Sequence, residues 1–305
     1  MKTKKISFVI PTRNEEMTIE SVISSLHVEA GKLGLDVIEV LITDDSHDRT
    51  REKAFDKGAT VLVGGGKGLG FAMVRGLKQA AKKNPDAIIS VDSDGQVDIS
   101  ELKNFILALD SENADLVLGS RFLEKKSVKY DYPLINRIGT IVLSLILRKV
   151  TGLQLTDSHG GIRAMRPHLV EELELVGTHT YVQETIIDAW EKGFKVVEIP
   201  SKWNSRLHGK SRVVGSITKY IFYTFPVLVL RTGSHLKILF IIGLLITFLA
   251  IVDISIVFWQ TSFSLQSILD RQSLVLFFLL LSTGLNLFFF GVTLELLTQM
   301  KRNKS

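Results

Sequence analysis

Two apolar runs near the C-terminus limit what this chain can become more than any other feature. Residues 238–259, ILFIIGLLITFLAIVDISIVFW, are 22 residues with one charge, Asp253, and residues 274–297, LVLFFLLLSTGLNLFFFGVTLELL, are 24 with one charge, Glu295. At ~1.5 Å of rise per residue, roughly 20 apolar residues cross a hydrocarbon core ~30 Å thick. A helix apolar on every face is either a membrane span or buried in a core. The short stretch 260–273 between the runs favours a transmembrane hairpin over two buried helices. Arg231, His235 and Lys237 precede the first run and Lys301, Arg302 and Lys304 follow the second, whereas the connection holds only Arg271 beside Asp270. The positive-inside rule then puts both ends, and the large N-terminal part, in the cytoplasm. Asp253, Asn286 and Glu295 are polar groups in or near the spans, without an assigned role.

Composition excludes a few classes. The chain has no cysteine, hence no disulfide framework and no thiolate zinc site, as suits a reducing compartment. A net charge of +5 over 305 residues is too small to argue for a nucleic-acid partner. The opening MKTKKISFVIPTRNEE has cations but only a short apolar run before further charges, so it reads as a strand and loop rather than a cleaved signal peptide.

The first 230 residues alternate short apolar runs with helical spacing. Strands are predicted at 5–12, 36–43, 59–65, 86–92 and 114–120, and helices at 15–30, 70–83 and 99–111. Such alternation implies an α/β fold with a mostly parallel sheet covered by helices on both faces. In these sheets ligands bind at the carboxyl ends of the strands. There the polar clusters gather: PTRNEE after the first strand, TDDSHD after the second, GGGKGLG after the third, DSDGQ after the fourth and GSRF after the fifth.

Asp92 and Asp94 are crowded together at the end of an apolar strand and repel one another unless a cation compensates them. A hard divalent ion, Mg²⁺ or Mn²⁺, takes oxygen ligands and leaves sites for substrate phosphates. Both carboxylates lie on one side of an extended chain, and Gln96 offers a further carbonyl oxygen. The plainer reading is a solvated turn capping the helix after Ser100. Asp44 and Asp45 are placed to accept hydrogen bonds from a base or ribose, or else form an Asx turn or cap for a helix after Asp48. The glycine loop fits neither G-x-x-x-x-G-K-[ST] nor G-x-G-x-x-G, which argues against a P-loop NTPase and a dinucleotide dehydrogenase. Its Lys67 is either a phosphate ligand or a solvated loop lysine.

Taken together, these segments resemble the inverting glycosyltransferases of family 2, which have the GT-A fold, and within them the polyprenyl-phosphate branch that includes dolichyl-phosphate mannose synthase and bactoprenol glucosyltransferases. The match covers about residues 5–215. VIPTRNEE implies donor-nucleotide contacts at Pro11, Arg13 and Glu15. ITDDSHDRT is similar to the family's D-D-x-S-x-D-x-T with Thr43 in place of the first Asp, which gives the base contact to Asp44 or to Asp45. DSDGQ implies Asp92, Asp94 and Gln96 as metal ligands. GSRF supplies Arg121, YPLINR supplies Arg137, TDSHGGIRAMR supplies Asp157, and RLHGKSR supplies Arg206 and Lys210. On this resemblance Asp94, Arg121 and Arg206 are catalytic, and Arg121, Arg137, Arg206 and Lys210 hold an acceptor phosphate, with Arg212 a weaker candidate.

The chemistry is coherent. A lipid phosphate is already an oxyanion near neutral pH and needs cations more than a general base. The implied partners are a nucleotide sugar of the GDP-mannose or UDP-glucose type, a polyprenyl (dolichyl) phosphate and the lipid bilayer of a prokaryotic plasma membrane or an ER-type membrane, with no nucleic acid; a homo-oligomer is allowed. Residues 1–212 are the expected catalytic domain, 213–235 an interfacial amphipathic helix or linker, and 236–305 the anchor. Residues 132–153 and 213–231 mix apolar runs with sparse cations and suit either a membrane surface or a buried helix. Competing readings are a processive polysaccharide synthase, disfavoured by the absence of Q-x-x-R-W, a membrane-bound metal-dependent nucleotidyltransferase or phosphohydrolase using the same D-x-D, and a scaffold that binds nucleotide sugar without turnover.

Overall fold

The computed structural model describes residues 3–125, 127–130, 132–175, 181–206, 234–260 and 272–302. They divide into two units, Met1–Leu228 and Val229–Ser305.

The first unit is an α/β layer structure around a seven-stranded sheet. In chain order the elements are β1 (Lys5–Thr12), α1 (Ile19–Lys32), β2 (Asp36–Asp44), α2 (Thr50–Asp56), β3 (Thr60–Val63), α3 (Leu69–Ala81), β4 (Ala87–Val91), α4 (Leu102–Ser111), β5 (Leu116–Ser120), α5 (Leu134–Thr151), β6 (Ile162–Met165), α6 (Pro167–Glu172), α7 (Val182–Glu191) and β7 (Val196–Pro200). The strand order is β3-β2-β1-β4-β6-β5-β7. All neighbours pair in parallel except β6, which runs antiparallel to both β4 and β5.

Side chains alternate between the two faces of each strand, and both faces are buried. Ile6, Phe8 and Ile10 of β1, Ile89 of β4 and Val117 of β5 pack with Ile19, Ile23 and Leu26 of α1 and Phe105 of α4. The intervening Val9, Leu41, Ile88, Leu116 and Leu118 pack on the other face with Met73 and Leu77 of α3 and Ile186 and Ile187 of α7. Helix α3 approaches the sheet closely at Gly76, where a Cβ would lie 2.9 Å from Val9 and would also overlap Thr43. The antiparallel β6 matters for function: it starts at the edge where its parallel neighbours end, so the loop before it joins the same rim.

Helix α5 inverts the usual pattern. Its buried positions are Thr140, Ser144, Leu147 and Thr151, while Leu134, Ile135, Ile138, Val142 and Leu145 are exposed. The inward hydroxyls are satisfied: Thr140 Oγ1 donates to Asn136 O, Ser144 Oγ to Thr140 O and Thr151 Oγ1 to Leu147 O, and Ser144 Oγ also accepts from Ser158 N.

The second unit holds α8 (Ser234–Gln260) and α9 (Gln272–Arg302). Ile241–Gln260 and Leu274–Thr293 are long and apolar enough to cross a membrane. The two helices meet backbone to backbone: a Cβ on Gly243 would lie 2.7 Å from Phe288 N and 2.8 Å from Gly284 O, and one on Gly284 would lie 2.7 Å from Thr247 N. Small residues at a crossing allow this approach, as in other apolar helix pairs.

Candidate active site

Strand β4 delivers Asp92 to the rim. The Asp92 peptide N–H donates to Gly161 O at 3.0 Å, which fixes where its side chain leaves the sheet. Among the described residues no hydrogen bond reaches the Asp92 carboxylate. Burial, then the neighbouring Asp94, pushes its pKa up to about 7, against the opposing pull of Arg163, Arg121 and Arg206. Asp94 is also raised, chiefly by burial, although it accepts a hydrogen bond from Gln96 N at 3.0 Å and pairs with Arg206 at 3.2 Å. Two carboxylates held together at such a cost match the donor set that binds Mg²⁺ or Mn²⁺ through one or two carboxylates plus substrate oxygens. No cluster of three or more acidic or histidine ligands exists among the described residues. The capping alternative falls to another residue: Asp98 accepts from Ser100 N and Ser100 Oγ, leaving Asp92 and Asp94 out of the cap.

The segment after β7 is sewn to this loop. Asn204 N donates to Gln96 O at 2.7 Å, Asp98 N to Lys202 O at 3.1 Å, and Trp203 bridges Val97 and Val128. This carries Arg206 to the carboxylates, 3.2 Å from Asp94 and 3.6 Å from Glu15.

A second cation lies beside Trp203. Arg121, just past β5, forms a two-pronged pair with Asp157: Nε donates to Oδ2 at 2.6 Å and Nη2 to Oδ1 at 2.8 Å. Nη1 donates to the Tyr132 hydroxyl at 3.0 Å. The guanidinium is stacked against Trp203 at 4.6 Å, Tyr132 at 5.0 Å and Phe122 at 5.4 Å. One N–H on each terminal nitrogen is left unengaged among the described residues. Burial alone would push Asp157 up, but Arg121 more than offsets it and holds the carboxyl below its ordinary value. Arg137, at the start of α5, lies over the same Phe122 ring at 5.8 Å, so one aromatic ring gathers two arginines.

The sequence profile described as glycosyl transferase family 2 matches residues 7–174, more than half of the chain. The chain belongs to glycosyl transferase family 2. It is 30% identical over 233 residues to the dolichol-phosphate mannosyltransferase of Pyrococcus furiosus, a stretch that is 72% of this chain and 63% of that protein. It is 28% identical over 204 residues to the dolichyl-phosphate hexose transferase of Haloferax volcanii, covering 66% of this chain and 83% of that one. Among solved structures, the glucosyl-3-phosphoglycerate synthase of Mycobacterium tuberculosis, crystallised with Mn²⁺, UDP and phosphoglyceric acid, superposes with a TM-score of 0.56 at 21% identity, over 75% of this chain and 79% of that one. That likeness establishes the fold, a GT-A-like mixed α/β sheet.

The remaining residues singled out in this family 2 glycosyltransferase fall as follows. Asp44 is fully buried and its carboxylate is taken up internally: Thr12 Oγ1, Ser46 N and Oγ, and Arg51 Nε and Nη2 all donate to it. Asp48 turns the chain into α2 by accepting from Thr50 N and Thr50 Oγ1, so Asp44 does not cap that helix. Asp45 is half-buried beneath the glycine loop, accepting from Gly66 N at 2.9 Å, and a Cβ on Gly64 would overlap its carboxylate. Pro11 lies opposite Thr43 near the end of β1, Arg13 is exposed, and the Glu15 peptide N–H donates to Thr50 Oγ1 at 2.8 Å. Lys67 is exposed, 5.0 Å over the Phe71 ring. Lys210 and Arg212, and residues 213–233, lie outside the described residues.

Sequence reasoning missed the support beneath these groups. Tyr132 and Trp203 complete the Arg121 box. Glu198 of β7 accepts from Thr156 N and from Asp157 N, and so sets the loop that holds Asp157. Arg163, buried on β6 opposite Ser90, donates to Val182 O and Ser158 O behind Asp92. The signals were present: aromatics beside predicted cations, and an arginine inside an otherwise apolar tetrapeptide.

Proposed function

We propose that the chain transfers a monosaccharide, with inversion, from a nucleotide sugar to a polyprenyl phosphate of the dolichyl type, on the cytoplasmic face of a membrane. The observation that carries the acceptor is the junction of Arg121 and Arg137 with α5. The two arginines share the Phe122 ring at the start of a helix that exposes aliphatic side chains and buries hydroxyls. That pattern is wrong for water and right for the boundary of a bilayer. A phosphate with a long hydrocarbon tail satisfies both halves of the junction. The dolichyl-phosphate relatives and the two apolar helices support the same reading, and the distribution of cations around those helices supports the cytoplasmic orientation.

Asp92 and Asp94, with Gln96 beside them, are the residues that would hold Mg²⁺ or Mn²⁺. When bound, the ion supplies positive charge to the departing diphosphate. The chain's own groups do the positioning. Pro11, Arg13, Glu15 and Asp45 line the donor side; Asp45 is preferred to Asp44 as the base contact because Asp44 has its oxygens occupied. Lys67 is at hand for the donor phosphates. Arg121, Arg137, Arg206 and Lys210 orient the acceptor phosphate, and Asp157 holds Arg121 in place. The acceptor oxygen bonds to the anomeric carbon as the bond from that carbon to the diphosphate breaks, and the electron pair leaves with the diphosphate. No proton need be removed from the acceptor, so orientation and electrostatics account for much of the rate.

The test is direct. Purified protein in detergent receives dolichyl or undecaprenyl phosphate, a panel of labelled nucleotide sugars including GDP-mannose, UDP-glucose and UDP-N-acetylglucosamine, and Mg²⁺ or Mn²⁺, with EDTA as control. Label enters the lipid phase with one donor and only with metal, and Asp94→Ala abolishes this while folding and membrane insertion persist. No lipid-linked label with any donor rejects the acceptor assignment.

A further inference from the structure

Arg206 reaches the carboxylates through ion pairs alone among the described residues. Its Nη2 lies 3.2 Å from Asp94 Oδ2 and 3.6 Å from Glu15 Oε1, while its Nε is buried without a hydrogen-bond partner among the described residues. Asp94 has its other oxygen engaged by Gln96 N. The guanidinium therefore covers the free oxygen of the aspartate that the reading above gives to a divalent ion. Its backbone is held independently, through Asn204 and Lys202 bound to the 96–98 segment, so the side chain can swing away without unpicking that anchorage. A guanidinium and a divalent ion drawn to the same carboxylate oxygen are two positive groups a few ångströms apart, and they repel strongly in a part-buried site.

We propose that Arg206 is a built-in competitor of the divalent ion for Asp94, neutralising the carboxylate pair when no metal is bound and being expelled when metal arrives. The inference rests on the metal reading of Asp92 and Asp94. Expulsion frees a guanidinium whose Nε already lacks a partner, on the side where an acceptor phosphate is needed. Ion and acceptor binding are then coupled, each favouring the other, because the ion removes the internal partner with which the phosphate would have to compete. The pair also protects the empty site: with Arg206 in place, two adjacent carboxylates do not face each other uncompensated.

The experiment is a Mn²⁺ titration of the full-length protein in detergent micelles, with free Mn²⁺ read by electron paramagnetic resonance, for wild type, Arg206→Gln, Arg206→Lys and Asp94→Asn. Arg206→Gln removes the competing charge and binds Mn²⁺ at least about tenfold more tightly, a factor that corresponds to about 1.4 kcal/mol. Arg206→Lys keeps the charge and stays near wild type, which separates competition from any general loosening of the rim. Asp94→Asn binds more weakly than wild type. Thermal melts followed by circular dichroism verify that each variant is folded. Equal or weaker Mn²⁺ binding by Arg206→Gln, or binding by neither it nor wild type, overturns the proposal. The readout is independent of sugar transfer: a tightened Arg206→Gln in a protein that labels no lipid leaves the competition standing and removes the acceptor reading, and the converse result does the opposite.

Discussion

Replacing Gly161 by alanine presses on the Asp92 carboxylate and on the Trp203 ring beside it. The residue sits just before β6, and its carbonyl accepts the Asp92 peptide N–H. Its φ is not among the positive ones, so alanine is compatible with the backbone. A Cβ there would lie 2.8 Å from Asp92 Cγ and 2.9 Å from Trp203 Cη2, against the 3.4 Å at which ordinary contact begins. The Asp92 carboxyl carbon must retreat by about 0.6 Å, the step from 2.8 to 3.4 Å, and the nearer oxygen by more. Trp203, buried and bridged to two segments, must give by a few tenths of an ångström at its ring edge and leaves the larger displacement to the carboxylate. A misplacement of order 1 Å at a reacting centre costs about 10²-fold in rate. The expected result for Gly161→Ala is a loss of that order in sugar transfer together with weakened Mn²⁺ binding. The stability loss should stay in the ordinary range for overpacking, about 1–3 kcal/mol. The assays are label transfer to lipid, Mn²⁺ titration and denaturant unfolding. A folded variant with wild-type turnover and wild-type Mn²⁺ affinity refutes the placement of Asp92 at the working centre.

Asp157→Asn leaves a buried guanidinium without its counter-charge, which costs about 3 kcal/mol or more; a lowered unfolding free energy in denaturant checks it, and an unchanged midpoint contradicts the pairing. His159 is buried and neutral: burial lowers its pKa from 6.5 to about 4, and it is bonded to Ser158 and Gln183. The unfolded chain takes up that proton first, so the contribution is fully present above about pH 6.5 and is lost as pH falls toward 4. It amounts to about 3 kcal/mol, and comparing the pH profiles of unfolding for wild type and His159→Asn reveals it as a shallower slope in the variant. Ile138→Glu on the exposed face of α5 should raise the KM for polyprenyl phosphate in vesicles roughly tenfold while changing stability in detergent by less than about 0.5 kcal/mol; an unchanged KM in vesicles counts against an interfacial α5.

The half of the sheet that alternates with amphipathic helices was legible because burial on both faces writes itself as unbroken apolar runs: β1, β2, β4 and β5 all end at the polar clusters named from sequence. The strand β6 was not, since IRAM is four residues long with Arg163 in the middle, and its antiparallel direction depends on two strands, β4 and β5, that lie far from it in sequence. Helix α7 was hidden for a related reason: it buries Gln183, Glu184 and Asp188, so polar side chains occupy positions that periodicity reads as solvent-facing. In the site, the D-x-D pair was visible as a local oddity. Whether Asp44 or Asp45 is available to a ligand was not, because Thr12 lies 32 positions from Asp44 and contacts of that separation leave no local mark. The aromatic box around Arg121 draws on Phe122, Tyr132 and Trp203, and only the fold brings the last of them near.

The crossing of α8 and α9 at Gly243 and Gly284 has a consequence for how this helix pair can vary. Its closeness comes from the absence of side chains, with backbone atoms of one helix against those of the other. Mutation has only one direction open to it there: every replacement adds atoms, and added atoms prise the helices apart. Elsewhere on the pair the outward aliphatics are exposed and touch neither backbone, so one can replace another there. The pair is thus free to drift over most of its surface while being pinned at a single point, and on the membrane reading proposed above a random library of the two helices screened for membrane retention should show that asymmetry as tolerance almost everywhere and intolerance at two glycines.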